Sequence, residues 1–155
     1  MTGACAASGQ GSEGIVATGI DNITLSDTIG VANPRQVGAI FAEATAAFPR
    51  VTFAAHFHDT RGLALANVVA ALDAGVRIFD SSIGGLGGCP YAPSAAGNVA
   101  TEDLAFGLAE MGIATGIDLD RLLDAAELVE RLVAHPLRAR IDRRLLGVGG
   151  AVSSR

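Results

Sequence analysis

The sequence predicts an α/β fold built on a parallel sheet, and two observations carry that expectation. Three short apolar runs, Ile23 to Asp27, Val51 to His58 and Arg77 to Ile83, recur at intervals close to the length of one strand-plus-helix unit. Each run leads into a polar or glycine-rich turn and then into a segment with helical spacing of apolar residues. Strands that alternate with helices in this way pair in parallel, because the helix is the crossover that returns the chain to the same end of the sheet.

The elements follow in order. The first run closes on Asp27, and the first helix opens at Pro34, whose missing N–H costs nothing in a first helical turn. That helix continues through Val37, Ile40 and Phe41 to about Phe48. The second run ends in the stretch AAHFHDTRG and feeds a helix over Leu63 to Ala74, with Leu65, Val68, Val69 and Leu72 at helical spacing and Gly75 as its stop. The third run leads into a glycine-rich stretch around Cys89. Two further helices are expected, Val99 to Glu110 with Thr101 able to cap, and Leu119 to Val133 with Asp118 as its cap. Residues 1–14, rich in Gly, Ser and Ala, read as a disordered leader, and 15–22 as a last helical turn and the loop into the first strand. Residues 15–137 then make the folded domain, and 138–155 an arginine-rich and then flexible tail.

Composition narrows the function classes. A chain of 155 residues, half of them hydrophobic and 17% charged, has room for one cored domain and is not of disordered type. The net charge is −5, and all 11 basic residues are arginine, with no basic patch to suggest nucleic acid as a partner. No apolar window approaches the roughly 18 residues of a membrane span, and the N-terminus has neither the basic start nor the apolar centre of a secretory signal. Two cysteines, Cys5 and Cys89, do not make a disulfide framework, so a reducing cytoplasm is the expected compartment.

The candidate functional residues gather at one edge. Asp27 ends the first strand, His56 and His58 end the second, and Cys89 and Asn98 follow the third. All lie at the C-terminal edge of a parallel sheet, where α/β folds build their sites. Two histidines spaced i, i+2 point to one face of a strand, and such an imidazole pair can chelate one divalent ion, with the Asn98 carboxamide oxygen able to join as a third donor. A thiol on a glycine-lined loop beside them could deliver a proton. Each residue also has a plainer reading: Asn98 as a helix cap, Cys89 as a small residue in a tight turn, and Asp27 as the cap of the turn at Thr28. Asp59 and Asp80 read as structural groups bonding loop N–H groups, and Cys5 and His135 as silent.

Three segments, ITLSDTIGVANP, HFHDTRGLALAN and DSSIGGLGGCPYAPSAAGNVATEDL, resemble the C-terminal part of the 3-hydroxy-3-methylglutaryl-CoA lyase family. That family belongs to a larger group of metal-dependent lyases and aldolases, which includes isopropylmalate and homocitrate synthases. The His-x-His motif is common to the group, whereas the GGLGGCPYA loop followed by GNVATED is diagnostic of the lyase. The resemblance covers about residues 15–135 and implies the C-terminal part of a TIM (β/α)8 barrel. It implies Mg²⁺ or Mn²⁺ held by His56, His58 and Asn98, catalytic roles for Asp27, Cys89 and His56, and an acyl-CoA substrate. The implied reaction is cleavage of 3-hydroxy-3-methylglutaryl-CoA to acetyl-CoA and acetoacetate.

The chain also departs from the family pattern. The barrel has eight strands, and three are apparent here. The Arg-Asp pair that the family carries on its first strand, a metal ligand and an enolate-stabilising cation, has no counterpart before Ile15, where the sequence reads SGQGSEG. Three strands leave two open sheet edges, and a mean hydropathy of +0.41 points the same way, toward surfaces in want of a partner. The expectation is a truncated chain or one half of a split enzyme, with a complementary half-barrel chain or a homo-oligomer as partner. The alternatives are a related acyl-CoA synthase or aldolase of the same group, and a non-catalytic remnant that assembles with the missing half.

Overall fold

The computed structural model describes residues 19–88, 97–143 and 146. The described residues fall into two compact units, one running up to Asp80 and including Gly88, Gly97 and Asn98, the other made of Ser81–Gly87 and the residues from Val99 onward.

The first unit is the expected parallel α/β arrangement. Its elements are β1 (Asn22–Asp27), α1 (Pro34–Ala47), β2 (Thr52–Phe57), α2 (Ala64–Asp73) and β3 (Ile78–Asp80). The three strands pair in parallel in the order β1-β2-β3. Helix α1 starts where Pro34 predicts, inside a reciprocal capping box: Gln36 N–H donates to Asn33 Oδ1 and Asn33 N–H donates to Gln36 Oε1, both at 3.1 Å. Helix α2 stops at Gly75, which adopts a φ of +97°, and the Arg77 guanidinium closes the helix end by donating to the carbonyls of Leu72 and Val76. The third strand is shorter than expected. Pairing ends at Asp80, and the apolar residues beyond it enter a single 3-10 turn, Ile83–Gly85, because Gly84 and Gly85 take positive φ values that a strand cannot hold.

The strand pleat decides what each residue faces. Ile23 on β1 pairs in register with Phe53 on β2, and Leu25 with Ala55, which pairs in turn with Phe79 on β3. This is the helix-covered face, where Ile23, Phe53, Ala55 and Phe57 are buried together with Val37 and Phe41 of α1 and Ala64, Val68 and Ala71 of α2. Each large side chain buried there contributes about 1.5–3 kcal/mol. Alternation puts Ser26, His56 and Asp80, which are registered with one another, on the opposite face.

The second unit holds the 3-10 turn, α3 (Thr101–Glu110) and α4 (Leu119–Val133). Asp118 caps α4 as predicted, accepting from Arg121 N–H. Thr101 is not a cap: it is the first helical residue of α3, Ala100 stands at the cap position, and the Thr101 hydroxyl pairs with Ser81 Oγ at 2.9 Å. Two buried carboxylates organise this unit. Asp103 accepts from the N–H groups of Arg140 and Ile141, both at 2.8 Å. Glu102, fully buried, takes the Gly84 N–H on both carboxylate oxygens at 2.9 Å. A Cβ on Gly84 would meet the Leu137 side chain at 2.6 Å, so glycine is required there for close packing as well as for its φ of +62°.

Burial pushes the Glu102 carboxyl above its ordinary pKa; its own N–H and that of Gly84 pull the other way, and the Asp103 charge adds to the rise. A carboxyl whose pKa is raised on folding binds its proton more tightly in the folded state. Its contribution to stability is therefore greatest in acid and falls as pH climbs from the ordinary glutamate value through the raised one. Replacing Glu102 by Gln keeps an acceptor for Gly84 and removes the titration. Urea denaturation across pH 4 to 7 is expected to show a flatter stability profile for Glu102→Gln than for the parent. Parallel profiles would refute a raised Glu102 pKa.

Candidate functional site

The site is built on the end of β2. Thr52, Ala54 and His56 lie on the face away from the helices because Phe53, Ala55 and Phe57 are taken by the core. His58 follows one pleat later, and the two imidazoles stand with ring centroids 5.2 Å apart and planes tilted by 59°. The predicted same-face pair is therefore present.

Asn98 is brought to this pair through the backbone. His58 and Asn98 form an antiparallel bridge, and the Asp59 N–H donates to the Gly97 carbonyl at 3.0 Å. Forty residues of sequence are thus folded back so that the predicted third donor lies beside the second. Its alternative as a helix cap does not hold, since Ala100 occupies the cap position of α3. Among the described residues no three side chains of His, Cys, Asp or Glu converge on a point that could hold an ion.

His58 is only 6% exposed, and its Nδ1 is buried with no hydrogen-bond partner among the described residues. A buried polar nitrogen left unpaired costs on the order of 1–3 kcal/mol. An orphaned imidazole nitrogen in a ring beside a second imidazole fits a site completed by a bound group, and imidazole donors of this kind suit a divalent first-row ion.

Asp27 is placed differently from the histidines. It is registered with Phe57, on the other side of the pleat from His56, and its carboxylate accepts from Val31 N–H at 3.1 Å and Ala32 N–H at 2.9 Å. It therefore shapes the β1–α1 loop. Each oxygen accepts one of these amides and retains further acceptor capacity. Asp59 has the expected structural role, its Oδ1 accepting from Ala64 N–H at 3.0 Å at the start of α2. Asp80 does not fit the loop-bonding reading: its Oδ2 lies 3.8 Å from Nδ1 of His56. Cys89 and Cys5 lie outside the described residues, and His135 Nδ1 lies 3.0 Å from the Pro136 carbonyl oxygen.

Two residues of the site region were not singled out by sequence reasoning. Asn67, 1% exposed, donates to the Ala32 carbonyl at 3.2 Å and so ties α2 to the β1–α1 loop. Its signal was available: Ala64, Asn67, Val68 and Ala71 share one buried helical stripe, and a polar residue within such a stripe needs a partner. Gly30 brings the same loop against the end of β2. A Cβ there would lie 2.5 Å from Thr60 Oγ1 and 2.8 Å from the His58 carbonyl oxygen.

Comparison with known proteins bears on this geometry. The family model described as HMGL-like matches residues 10–129. The hydroxymethylglutaryl-CoA lyase of Bacillus subtilis (strain 168) is 50% identical over 129 residues, which are 83% of this chain and 43% of that protein. The (R)-citramalyl-CoA lyase of Chloroflexus aurantiacus is 41% identical over 131 residues, 84% of this chain and 41% of the relative. A solved HMG-CoA lyase from Acinetobacter baumannii, in complex with coenzyme A and 3-methylmalate, superposes with a TM-score of 0.81 at 43% identity, covering 92% of this chain and 46% of the other. The chain spans less than half the length of each of these proteins.

The Gly30 contact yields a test of how tightly the two loops are held. Gly30 has a φ of +64°, so Gly30→Ala combines left-handed strain with a backbone clash at His58. The substitution is expected to lower unfolding free energy by at least about 2 kcal/mol, read from urea denaturation. A loss within measurement error would mean the loop is free to move away.

Proposed function

The chain belongs to the HMGL-like family, and on that premise we propose that it is a divalent-metal-dependent carbon–carbon lyase. Its substrate in this reading is 3-hydroxy-3-methylglutaryl-CoA or a close 3-hydroxyacyl-CoA, cleaved in the first case to acetyl-CoA and acetoacetate. Its α/β fold is that of part of the barrel of its relatives, with which it shares three parallel strands and their helices. The observation that carries the proposal is the close pair of His56 and His58 imidazoles at the end of β2, with the backbone of Asn98 bridged to that of His58.

These three residues would hold Mg²⁺ or Mn²⁺, which when bound acts as a Lewis acid and makes a nearby hydroxyl more acidic. The base is Asp27 or a histidine; the Asp27 carboxylate accepts two loop amides and keeps further acceptor capacity. As the hydroxyl proton leaves, the C2–C3 bond breaks, C3 becomes the ketone of acetoacetate, and the bonding pair passes to C2 as the enolate of the thioester. Cys89, in the segment GGLGGCPYA, returns a proton to C2 and completes acetyl-CoA. His56 contributes to catalysis through the ion it helps to hold.

The similarity to (R)-citramalyl-CoA lyase favours a second substrate reading within the same chemistry. Citramalyl-CoA also carries a tertiary hydroxyl at C3, so the same bond polarisation applies. We place the reaction in a reducing cytoplasm, where Cys89 stays a thiol. No helix among the described residues is long and apolar enough to cross a membrane. In this sheet β1 and β3 each present an edge without a strand partner among the described residues. A complementary half-barrel chain or a second copy of this chain is the partner we propose for them.

The test is release of acetoacetate from 3-hydroxy-3-methylglutaryl-CoA, and of pyruvate from citramalyl-CoA, by the purified chain with Mg²⁺ or Mn²⁺. Turnover is expected to need the ion and to fall by at least about 100-fold in both Cys89→Ala and His58→Ala, as for loss of a proton donor or a metal ligand. Metal-independent turnover, or turnover indifferent to Cys89, would refute the mechanism. A folded chain inactive alone and active only after mixing with a complementary half would support the assembly reading.

A further inference from the structure

We propose that Asp80 is a positioning residue for His56: its carboxylate holds the imidazole with the proton on Nδ1, so that Nε2 is presented as a ligand. The proposal rests on the reading of His56 as a metal ligand. It starts from strand register. His56 and Asp80 are partners across the parallel β2–β3 pair, and partners in register share a face. Their side chains therefore stand next to each other on the face away from the helices. His56 Nδ1 is 3.8 Å from Asp80 Oδ2, and the Asp80 side chain is 53% exposed, which leaves it room to close the remaining gap of about 0.6–1.1 Å to hydrogen-bond distance.

The chemistry follows from imidazole itself. Which ring nitrogen carries the proton is set by the hydrogen bond that the other makes or is offered. An acceptor-only carboxylate on the Nδ1 side selects the Nδ1–H tautomer and leaves the Nε2 lone pair available. The two histidines are thus oriented by different means. His58 is held through its backbone bridge to Asn98, and its Nδ1 has no hydrogen-bond partner among the described residues. Loss of Asp80 should disturb the ring of His56 and spare that of His58. A merely structural role for Asp80 would not discriminate between them.

The experiment uses the full chain labelled with ¹⁵N-histidine. Without metal, long-range ¹H–¹⁵N spectra are expected to show His56 protonated on Nδ1 in the parent and redistributed toward Nε2–H in Asp80→Ala, with the His58 pattern unchanged. Calorimetric titration with Mn²⁺ is expected to weaken by 10- to 100-fold in Asp80→Ala. Asp80→Asn, which keeps an oxygen acceptor without the charge, should lose less. An unchanged His56 spectrum in Asp80→Ala, or unchanged Mn²⁺ affinity, overturns the proposal. Should the parent itself fail to bind Mn²⁺, the metal reading fails separately, and the His56 spectrum alone then decides whether Asp80 sets the tautomer.

Discussion

The alternation of β2 is the constraint from which the first unit follows. Phe53, Ala55 and Phe57 must leave water, and they do so beneath α1 and α2. A strand with a period of two cannot bury those three without sending Ala54 and His56 the other way. The parallel register then sets Ser26 and Asp80 on either side of His56. A slip of one residue would turn His56 under the helices and Phe53 and Phe57 out into water. Hydrophobic burial on one face is thus what aims the polar residues on the other.

Around that strand, the loops at its C-terminal end are held by side chains bonding backbone. Asp27 takes the amides of Val31 and Ala32, Asp59 takes that of Ala64, and Asn67 reaches the Ala32 carbonyl. Loops lack a ladder of their own, so their buried amides and carbonyls need such partners. Gly30 adds a steric element, since its bare Cα lets one loop approach the carbonyl of His58. The second unit uses the same device with buried acids: Glu102 secures the glycine-rich 3-10 turn at Gly84, and Asp103 secures the backbone at Arg140 and Ile141. Arg143 lies among Asp120, Asp124 and Glu127, a half-exposed cluster whose pairs are each worth at most about 1 kcal/mol.

Much of this was legible in the order of the residues. Three apolar runs at regular spacing mean a parallel sheet with helical crossovers, Pro34 and Gly75 mark helix ends by their backbone chemistry, and the i, i+2 histidines must share a face if their strand is extended. These inferences depend on local geometry and periodicity, which a linear sequence contains. The family followed from the His-x-His segment and the GGLGGCPYA loop, and the HMGL-like match over residues 10–129 agrees with it.

Other features depend on which distant segments meet. That Asn98 lies beside His58 rather than capping α3 is settled by an antiparallel bridge spanning forty residues, and no local pattern encodes it. That Asp27 serves two loop amides while Asp80 faces His56 reverses the emphasis a reader of the sequence would choose. The residue types are fixed along the chain, but the choice of partner for a carboxylate comes from strand register and loop closure. Those come into being only when the apolar faces of the sheet and helices pack together. The sequence by itself determined the order of the elements and the residue types at their ends; the tertiary structure decided which of those residues face one another.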